Sequence, residues 1–336
     1  MYSQGFFPVT DASHVATARN ALTDLMSRCG FDATRAGRGS LVLTEAATNI
    51  LKHAGEGTVM IRPFHCDGDQ GIEVLALDSG PGIANWTASS VDGVSTAGTP
   101  GTGLGAMRRL SDHFDAYSRA EQGTAVRMSI WCGEEAAGKT RRYEMGAVCV
   151  PLQGEEMCGD SWGVALHAEG ATVMVADGLG HGLLAHEASQ AAMAVLEKHP
   201  TDGAGQLLAT AHGALRTTRG AALSVARCDF HKREVVYSGA GNISGVLVGP
   251  HARRQMISHA GIVGHKIHST RELTYPWARD DLLIMHSDGL ETRWNLDAYP
   301  GLAQRHCSLV AGVLYRDFKR GRDDTTIVVM RVAGRE

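Results

Sequence analysis

Apolar side chains recur at helical spacing along Val42, Ala46 and Ile50 and along Leu43, Ala47 and Leu51, which predicts a helix over Ala36 to Lys52. A first helix is expected over Ala12 to Cys29, with Asp11 as its cap and Gly30 as its stop. Apolar runs of strand length follow at Thr58 to Phe64, Ile72 to Leu77, Phe114 to Ser118 and Thr124 to Trp131, with a short amphipathic helix from Gly103 through Leu110. This order predicts an α/β sandwich on an antiparallel sheet. Further on, strands are expected at Trp162 to Leu166, Thr172 to Ala176, Leu223 to Asp229, Glu234 to Ser238 and Gly245 to Val248. Two helices accompany them, near Leu184 to Lys198 and Ala204 to Leu215, and strand-like runs close the chain at Leu282 to His286 and Ile327 to Val332. Here the pattern fits two sheets sandwiched between helices, so the fold class is mixed α/β (α+β) throughout. No internal repeat is visible.

At 336 residues the chain exceeds what one core usually holds. The apolar pattern breaks between Gly133 and Arg142, where Glu134, Glu135, Lys139 and Arg141 intervene, so two domains are expected, 1–133 and 144–336, joined by a linker at 134–143. The net charge of −4 divides as −3 through Gly133 and −1 beyond it, and neither half has the basic excess of a nucleic-acid binder. No apolar run approaches the ~20 residues that cross a bilayer, and Met1 to Val9 lacks the charged start and apolar core of a signal peptide. Seven cysteines without C-x-x-C spacing predict reduced thiols, no zinc site and a cytoplasmic protein.

Chemistry enters the second half through four aspartates in short motifs: Cys158-Gly159-Asp160, Asp177-Gly178-Leu179-Gly180-His181-Gly182, Ser287-Asp288-Gly289-Leu290-Glu291 and Asp323-Asp324-Thr325-Thr326. Any one Asp-Gly pair is most simply a turn. Four together, each beside a strand-like run, predict carboxylates converging at one edge of a β-sandwich, the oxygen-rich setting that Mg²⁺ or Mn²⁺ prefers. Two such ions can clamp a phosphate and activate a water, so the first reading is a phosphate-ester hydrolase. His181 is open between contact with substrate phosphate and capping or packing of the helix that follows. Cys158 is expected to pack, thiolate being a poor partner for these ions.

In their order, these motifs resemble the metal-dependent protein phosphatases of the SpoIIE and RsbX kind over about residues 144 to 332. The resemblance implies that Asp160, Asp177, Asp288, Asp323 and the Gly178 carbonyl serve two Mn²⁺ or Mg²⁺ ions, with the four aspartates as the catalytic set. It leaves Asp324 without a role. Ser238-Gly239-Ala240-Gly241-Asn242-Ile243 is similar to the RsbX branch in particular.

The first half carries a second set. Glu45, Asn49 and Lys52, three and four residues apart, share one helix face, either a solvated surface or a carboxylate, carboxamide and ammonium facing a ligand. Asp78-Ser79-Gly80-Pro81-Gly82 ends a strand-like run, and Gly101-Thr102-Gly103-Leu104-Gly105 opens a helix. Such a glycine-rich turn is a loop more often than a nucleotide site, yet its free N–H groups and the helix dipole make it a ready anion cradle. The Ser89 to Pro100 stretch between them has the composition of a mobile lid that orders on ligand binding.

Together these blocks resemble the N, G1 and G2 boxes of the GHKL ATPases, and among them the anti-sigma-factor serine kinases of the RsbW and RsbT type, over about residues 8 to 132. The resemblance implies ATP with Mg²⁺ held by Asn49, an adenine contact from Asp78, and a pocket formed by Gly80, Gly82, Thr102, Gly103, Leu104 and Gly105. Glu45 matches the residue proposed as general base, flanked by Lys52 and His53. A sensor histidine kinase fits less well, because only about ten residues precede the first helix. The implied function is a bifunctional partner-switching regulator, a serine/threonine kinase of a STAS-type antagonist or scaffold protein and a phosphoserine/phosphothreonine phosphatase. The alternative is a phosphatase whose first domain only binds ATP, a sigma factor or another partner.

Overall fold

The computed structural model describes residues 4–66, 68–83, 103–133, 142–250 and 252–333. The expected lid at Ser89 to Pro100, the pocket residue Thr102 and linker residues 134–141 lie outside the described residues. Two compact units result, one of Met1–Lys139 with Pro300–Arg316, the other of Thr140–Tyr299 with Asp317–Glu336.

The first unit is built on a five-stranded antiparallel sheet in the order β1-β2-β3-β5-β4: β1 (Gly5–Val9), β2 (Gly57–Cys66), β3 (Asp69–Asp78), β4 (His113–Ser118) and β5 (Thr124–Trp131). Helices α1 (Ala12–Arg28) and α2 (Ala33–His53) pack on one face through Leu22, Met26, Val42, Leu43, Ala46 and Ile50 against Val59, Ile61, Ile72, Val74 and Met128. Asp11 does cap α1, its Oδ1 accepting from the Ser13 and His14 amides, and Gly30 follows the helix end at φ 78°. The short helix is α3 (Gly103–Leu110). β1 was not expected from the pattern; Pro8 is accommodated because β1 is an edge strand.

The other face of this sheet is also covered. Segment Pro300–Arg316 holds most of helix α6 (Cys307–Phe318), which stands in sequence between the Asp288 and Asp323 motifs yet clusters with the first unit. Gly312 seats α6 on Leu75 and Leu77, since a Cβ there would lie 2.9 Å and 3.0 Å from their methyls. Ser308 Oγ donates to Glu73 Oε2 at 2.8 Å, and Arg316 donates to the Asp78 carbonyl at 3.0 Å. Glu73 is buried between buried Arg62 and Arg127, at 2.8 Å and 2.7 Å. Burial alone would raise its pKa, but the two guanidiniums overcome this and hold the carboxyl below its usual range.

The second unit contains two five-stranded sheets. One has the order β15 (Leu273–Pro276), β10 (Glu234–Ala240), β9 (Ala221–Asp229), β8 (Gly170–Gly178), β7 (Asp160–His167). The other has the order β12 (Arg253–Met256), β11 (Ser244–Val248), β16 (Leu282–His286), β17 (Thr325–Val332), β6 (Tyr143–Val150), while β13 (Gly261–Ile262) and β14 (Lys266–Ile267) form a separate two-stranded pair. The strands that matter below are β6, β7, β8, β16 and β17. The core between the sheets includes Ala147, Val173, Val175, Tyr237, Leu283, Met285 and Val328. Helices α4 (Leu183–Lys198) and α5 (Ala204–Ala214) add a second apolar layer, with Met193, Leu196, Leu207 and Leu208 against Met174, Leu223 and Val225. Among the described residues no helix is long and apolar enough to cross a membrane.

Candidate active sites

In the second unit, strand pairing does most of the positioning. Asp160 opens β7 and Asp177 lies near the end of β8, and the antiparallel register sets them directly opposite one another. β16 and β17 are neighbours in the other sheet; Asp288 follows the first by one residue beyond Ser287, and Asp323 precedes the second. Ser287 joins the two pairs, donating to Asp160 Oδ2 at 2.6 Å while its Oγ accepts from the Thr326 amide at 2.9 Å. The four predicted aspartates are thus brought to the adjoining edges of the two sheets. Gly178 makes room for this, since a Cβ at that position would lie 2.1 Å from the Ala185 carbonyl.

The electrostatics are those of crowded carboxylates. Burial, then Asp288, Asp323 and Asp324, raise the Asp177 pKa to about 7. Burial and then Asp177 push Asp160 well above the usual range. Asp160 Oδ1 is buried without a hydrogen-bond partner. A negative cluster with an orphaned acceptor fits divalent cations, whose charge would let every carboxylate ionise. The side chains converge without closing a cage: among the described residues no three of His, Cys, Asp or Glu stand ready to hold an ion.

Three neighbours were not assigned from sequence. Asp324 Oδ1 and Oδ2 accept from the amides of Leu152 and Gly159 at 2.8 Å and 3.0 Å, which fixes the loop leading into Asp160. Asn242 donates to Asp288 Oδ2 at 2.8 Å. Asn242 belongs to the Ser238 to Ile243 motif, and an amide next to a carboxylate in space leaves no trace in sequence spacing. His181 pairs with Glu155 Oε1 at 2.6 Å, and the N-cap of α4 is Gly182, without a side-chain cap, so His181 does not cap that helix. An open pocket of about 520 Å³ adjoins Asp288 and Asp323 and is also lined by Glu291, Thr292, Arg293, Lys319, Arg320 and Arg322.

In the first unit, three of the predicted pocket residues, Glu45, Asn49 and Gly103, lie together. A Cβ at Gly103 would stand 3.3 Å from both Asn49 Nδ2 and Glu45 Oε2, so the start of α3 lies against the α2 face carrying these side chains. Lys52 and His53 are exposed at the end of α2. Asp78 Oδ1 accepts from the amides of Gly80 and Thr124 at 2.9 Å and 3.2 Å. Burial raises the Asp78 pKa. Gly82 adopts φ 66°, and a Cβ there would lie 1.8 Å from the Arg119 carbonyl, so only glycine fits this turn. Leu104 packs against the unit's core and Gly105 is buried in α3.

Comparison with known proteins agrees with both halves. Residues 7–130 match the histidine kinase-like ATPase domain, and residues 168–333 match stage II sporulation protein E. The serine/threonine-protein kinase RsbT of Bacillus subtilis is 32% identical over 117 residues, 35% of this chain and 88% of the relative. The phosphoserine phosphatase RsbX of the same organism is 27% identical over 139 residues, 41% of this chain and 70% of the relative. Among solved structures, a chain from work on the bacterial stressosome, a modular system adapted to control secondary messenger signaling, superposes with a TM-score of 0.54 at 25% identity, covering 57% of this chain and all of that one. RsbX in complex with magnesium gives a TM-score of 0.51 at 21% identity over 58% of this chain and 98% of its own, a likeness of fold. This chain therefore belongs to the RsbT family through its first half, a histidine kinase-like ATPase domain, and carries a SpoIIE-type serine/threonine phosphatase domain in its second.

Proposed function

We propose that the chain is a bifunctional regulator of a cytoplasmic partner-switching circuit, with domains at 1–133 and 144–336. Its first domain phosphorylates serine or threonine on a STAS-type antagonist or scaffold protein, and its second removes such a phosphate. The observation that carries this reading is the convergence of Asp160, Asp177, Asp288 and Asp323 at the adjoining edges of the two sheets, where burial and then neighbouring carboxylates raise the proton affinities of Asp160 and Asp177. The names of the relatives RsbT and RsbX support the pairing of kinase with phosphatase.

In the phosphatase, Asp160, Asp177, Asp288, Asp323 and the Gly178 carbonyl would hold two Mn²⁺ or Mg²⁺ ions. When bound, these supply a polarised phosphate and an activated water. Asn242 keeps Asp288 oriented through its 2.8 Å hydrogen bond, and Ser287 keeps Asp160 in place. Arg293, Lys319, Arg320 and Arg322 give the adjoining pocket a cationic wall that draws in a phosphate-bearing segment.

In the kinase, Asn49 would hold Mg²⁺ and Asp78 would accept from the adenine amino group. Gly80, Gly82, Thr102, Gly103, Leu104 and Gly105 would shape the pocket, with Lys52 and His53 at the phosphates. Glu45 then aligns the acceptor hydroxyl, a task of positioning and charge rather than covalent chemistry.

Two measurements separate the halves. Aryl phosphate hydrolysis by the full chain should require Mn²⁺ or Mg²⁺ and fall ~100-fold or more in Asp288→Asn, in line with loss of a charge-stabilising group. ATP binding by calorimetry should be lost in Asp78→Asn and retained in Glu45→Ala. Metal-independent hydrolysis, or ATP binding indifferent to Asp78, contradicts the corresponding half.

A further inference from the structure

Two thiols meet beside the metal-binding edge and take no part in the chemistry above. Cys149 lies on β6, opposite Thr326 of β17, and Cys158 lies two residues before Asp160. Their Sγ atoms are 3.6 Å apart, and both residues are partly exposed. Cys149 Sγ is also 3.8 Å from the Asp160 carbonyl. The loop between the two cysteines is held at both ends by one carboxylate, since Asp324 accepts from the Leu152 and Gly159 amides. His186 Nδ1 donates to the Cys158 carbonyl at 2.8 Å. The two sulfurs are therefore kept facing each other by a hydrogen-bonded frame, not by chance proximity of free loops.

A disulfide needs its sulfurs ~2.05 Å apart, so bonding asks for an approach of about 1.5 Å. A movement of that size at Cys158 strains the Gly159 amide against Asp324 and displaces Asp160, the residue two positions on. We propose that Cys149 and Cys158 form an oxidisable dithiol site that reacts with a hydroperoxide and, once bridged, weakens metal binding at the neighbouring aspartates. In the first step one thiol sulfur takes the terminal peroxide oxygen as the O–O bond breaks, giving a sulfenic acid and releasing water from hydrogen peroxide, or an alcohol from an organic hydroperoxide. In the second, the other thiol attacks that sulfur, the S–S bond forms, and the sulfenic oxygen leaves as water with the remaining thiol proton. Two electrons pass from the sulfurs to the peroxide, and a dithiol reductant reverses the change by thiol–disulfide exchange.

The consequence for metal binding rests on the phosphatase reading; the bond itself does not. The test uses the full-length chain, fully reduced, desalted and exposed to a small excess of hydrogen peroxide. Non-reducing peptide mass spectrometry should find the Cys149 and Cys158 peptides joined, lighter than their sum by two hydrogens. Calorimetric titration with Mn²⁺ should show ~10-fold weaker binding after oxidation, comparable to loss of a supporting contact at a metal site. Both changes should reverse with dithiothreitol. Cys149→Ser and Cys158→Ser should each bind Mn²⁺ as the reduced protein does and ignore peroxide. Peptides that stay separate in the wild-type chain overturn the proposal whatever the variants do, as does a complete cross-link that leaves Mn²⁺ affinity unchanged. Reduced protein that binds Mn²⁺ but hydrolyses no phosphate would instead count against the phosphatase reading, with the dithiol still decided by the peptide map.

Discussion

At the level of single residues, the phosphatase site is defined by what its carboxylates do to each other. Asp177 sits opposite Asp160 in the ladder, and its pKa rises to about 7 through burial and then through Asp288, Asp323 and Asp324. A carboxyl whose pKa is higher folded than unfolded makes the native state bind the extra proton, so stability falls as pH rises from near 4 to near 7. The metal-free chain should accordingly melt at higher temperature at pH 5.5 than at pH 7.5. Asp177→Asn should flatten that dependence, and saturating Mn²⁺ should stabilise the protein most at the upper end. Calorimetric melts across this range with and without chelator check the prediction; a metal-free melting temperature that climbs towards neutrality contradicts it. The aspartates themselves were readable from sequence because each sits in a short motif beside a strand-like run. Asn242 and the stapling role of Asp324 were not, because their contacts join segments 46 and at least 165 residues apart.

Among the elements, α6 was the least legible. Cys307 to Tyr315 is buried without a break, so the segment has no polar face and no 3.6-residue alternation to reveal a helix. β1 was hidden by its brevity and by Pro8. α1, α2 and the central strands β2, β3 and β5 were legible because each presents a regular apolar stripe or run to a single core. Beside the Gly312 contact and the Arg316 bond, Ser308 ties the α6 segment to the buried cluster of Glu73, Arg62 and Arg127 on the first unit's sheet. Replacing Glu73 by Gln removes the carboxylate shared by two buried guanidiniums and should cost ~3–5 kcal/mol. Ser308→Ala removes one hydrogen bond to a carboxylate that keeps both arginines and should cost only ~1 kcal/mol. Because the folded pKa of Glu73 is depressed, its contribution is present above the unfolded value of 4.5 and is lost as pH falls below it. Urea unfolding of both variants at pH 7 tests the ranking; equal losses would mean that the ion cluster does not hold the segment.

On the scale of the whole molecule, the proposed function puts two opposed chemistries on one chain, with the proposed ATP pocket at α2, α3 and the end of β3 and the proposed metal site at the ends of β7, β8, β16 and β17. Cycling one phosphate on one residue would consume ATP without result, so the account expects separate substrates or reciprocal control. The most direct test of the central claim is a pulse and chase of label. Asp288→Asn protein is incubated with γ-labelled ATP, Mg²⁺ and a STAS-domain protein, beside the Glu45→Ala, Asp288→Asn double variant, and the labelled product is then given to wild-type protein with Mn²⁺. The account predicts label on serine or threonine only where Glu45 is intact, and its release as inorganic phosphate by a chain of this kind with Asp288 in place. Label that appears without Glu45 would contradict the kinase assignment, and label on a phosphoserine or phosphothreonine protein that no Mn²⁺-loaded wild-type chain releases would contradict the phosphatase.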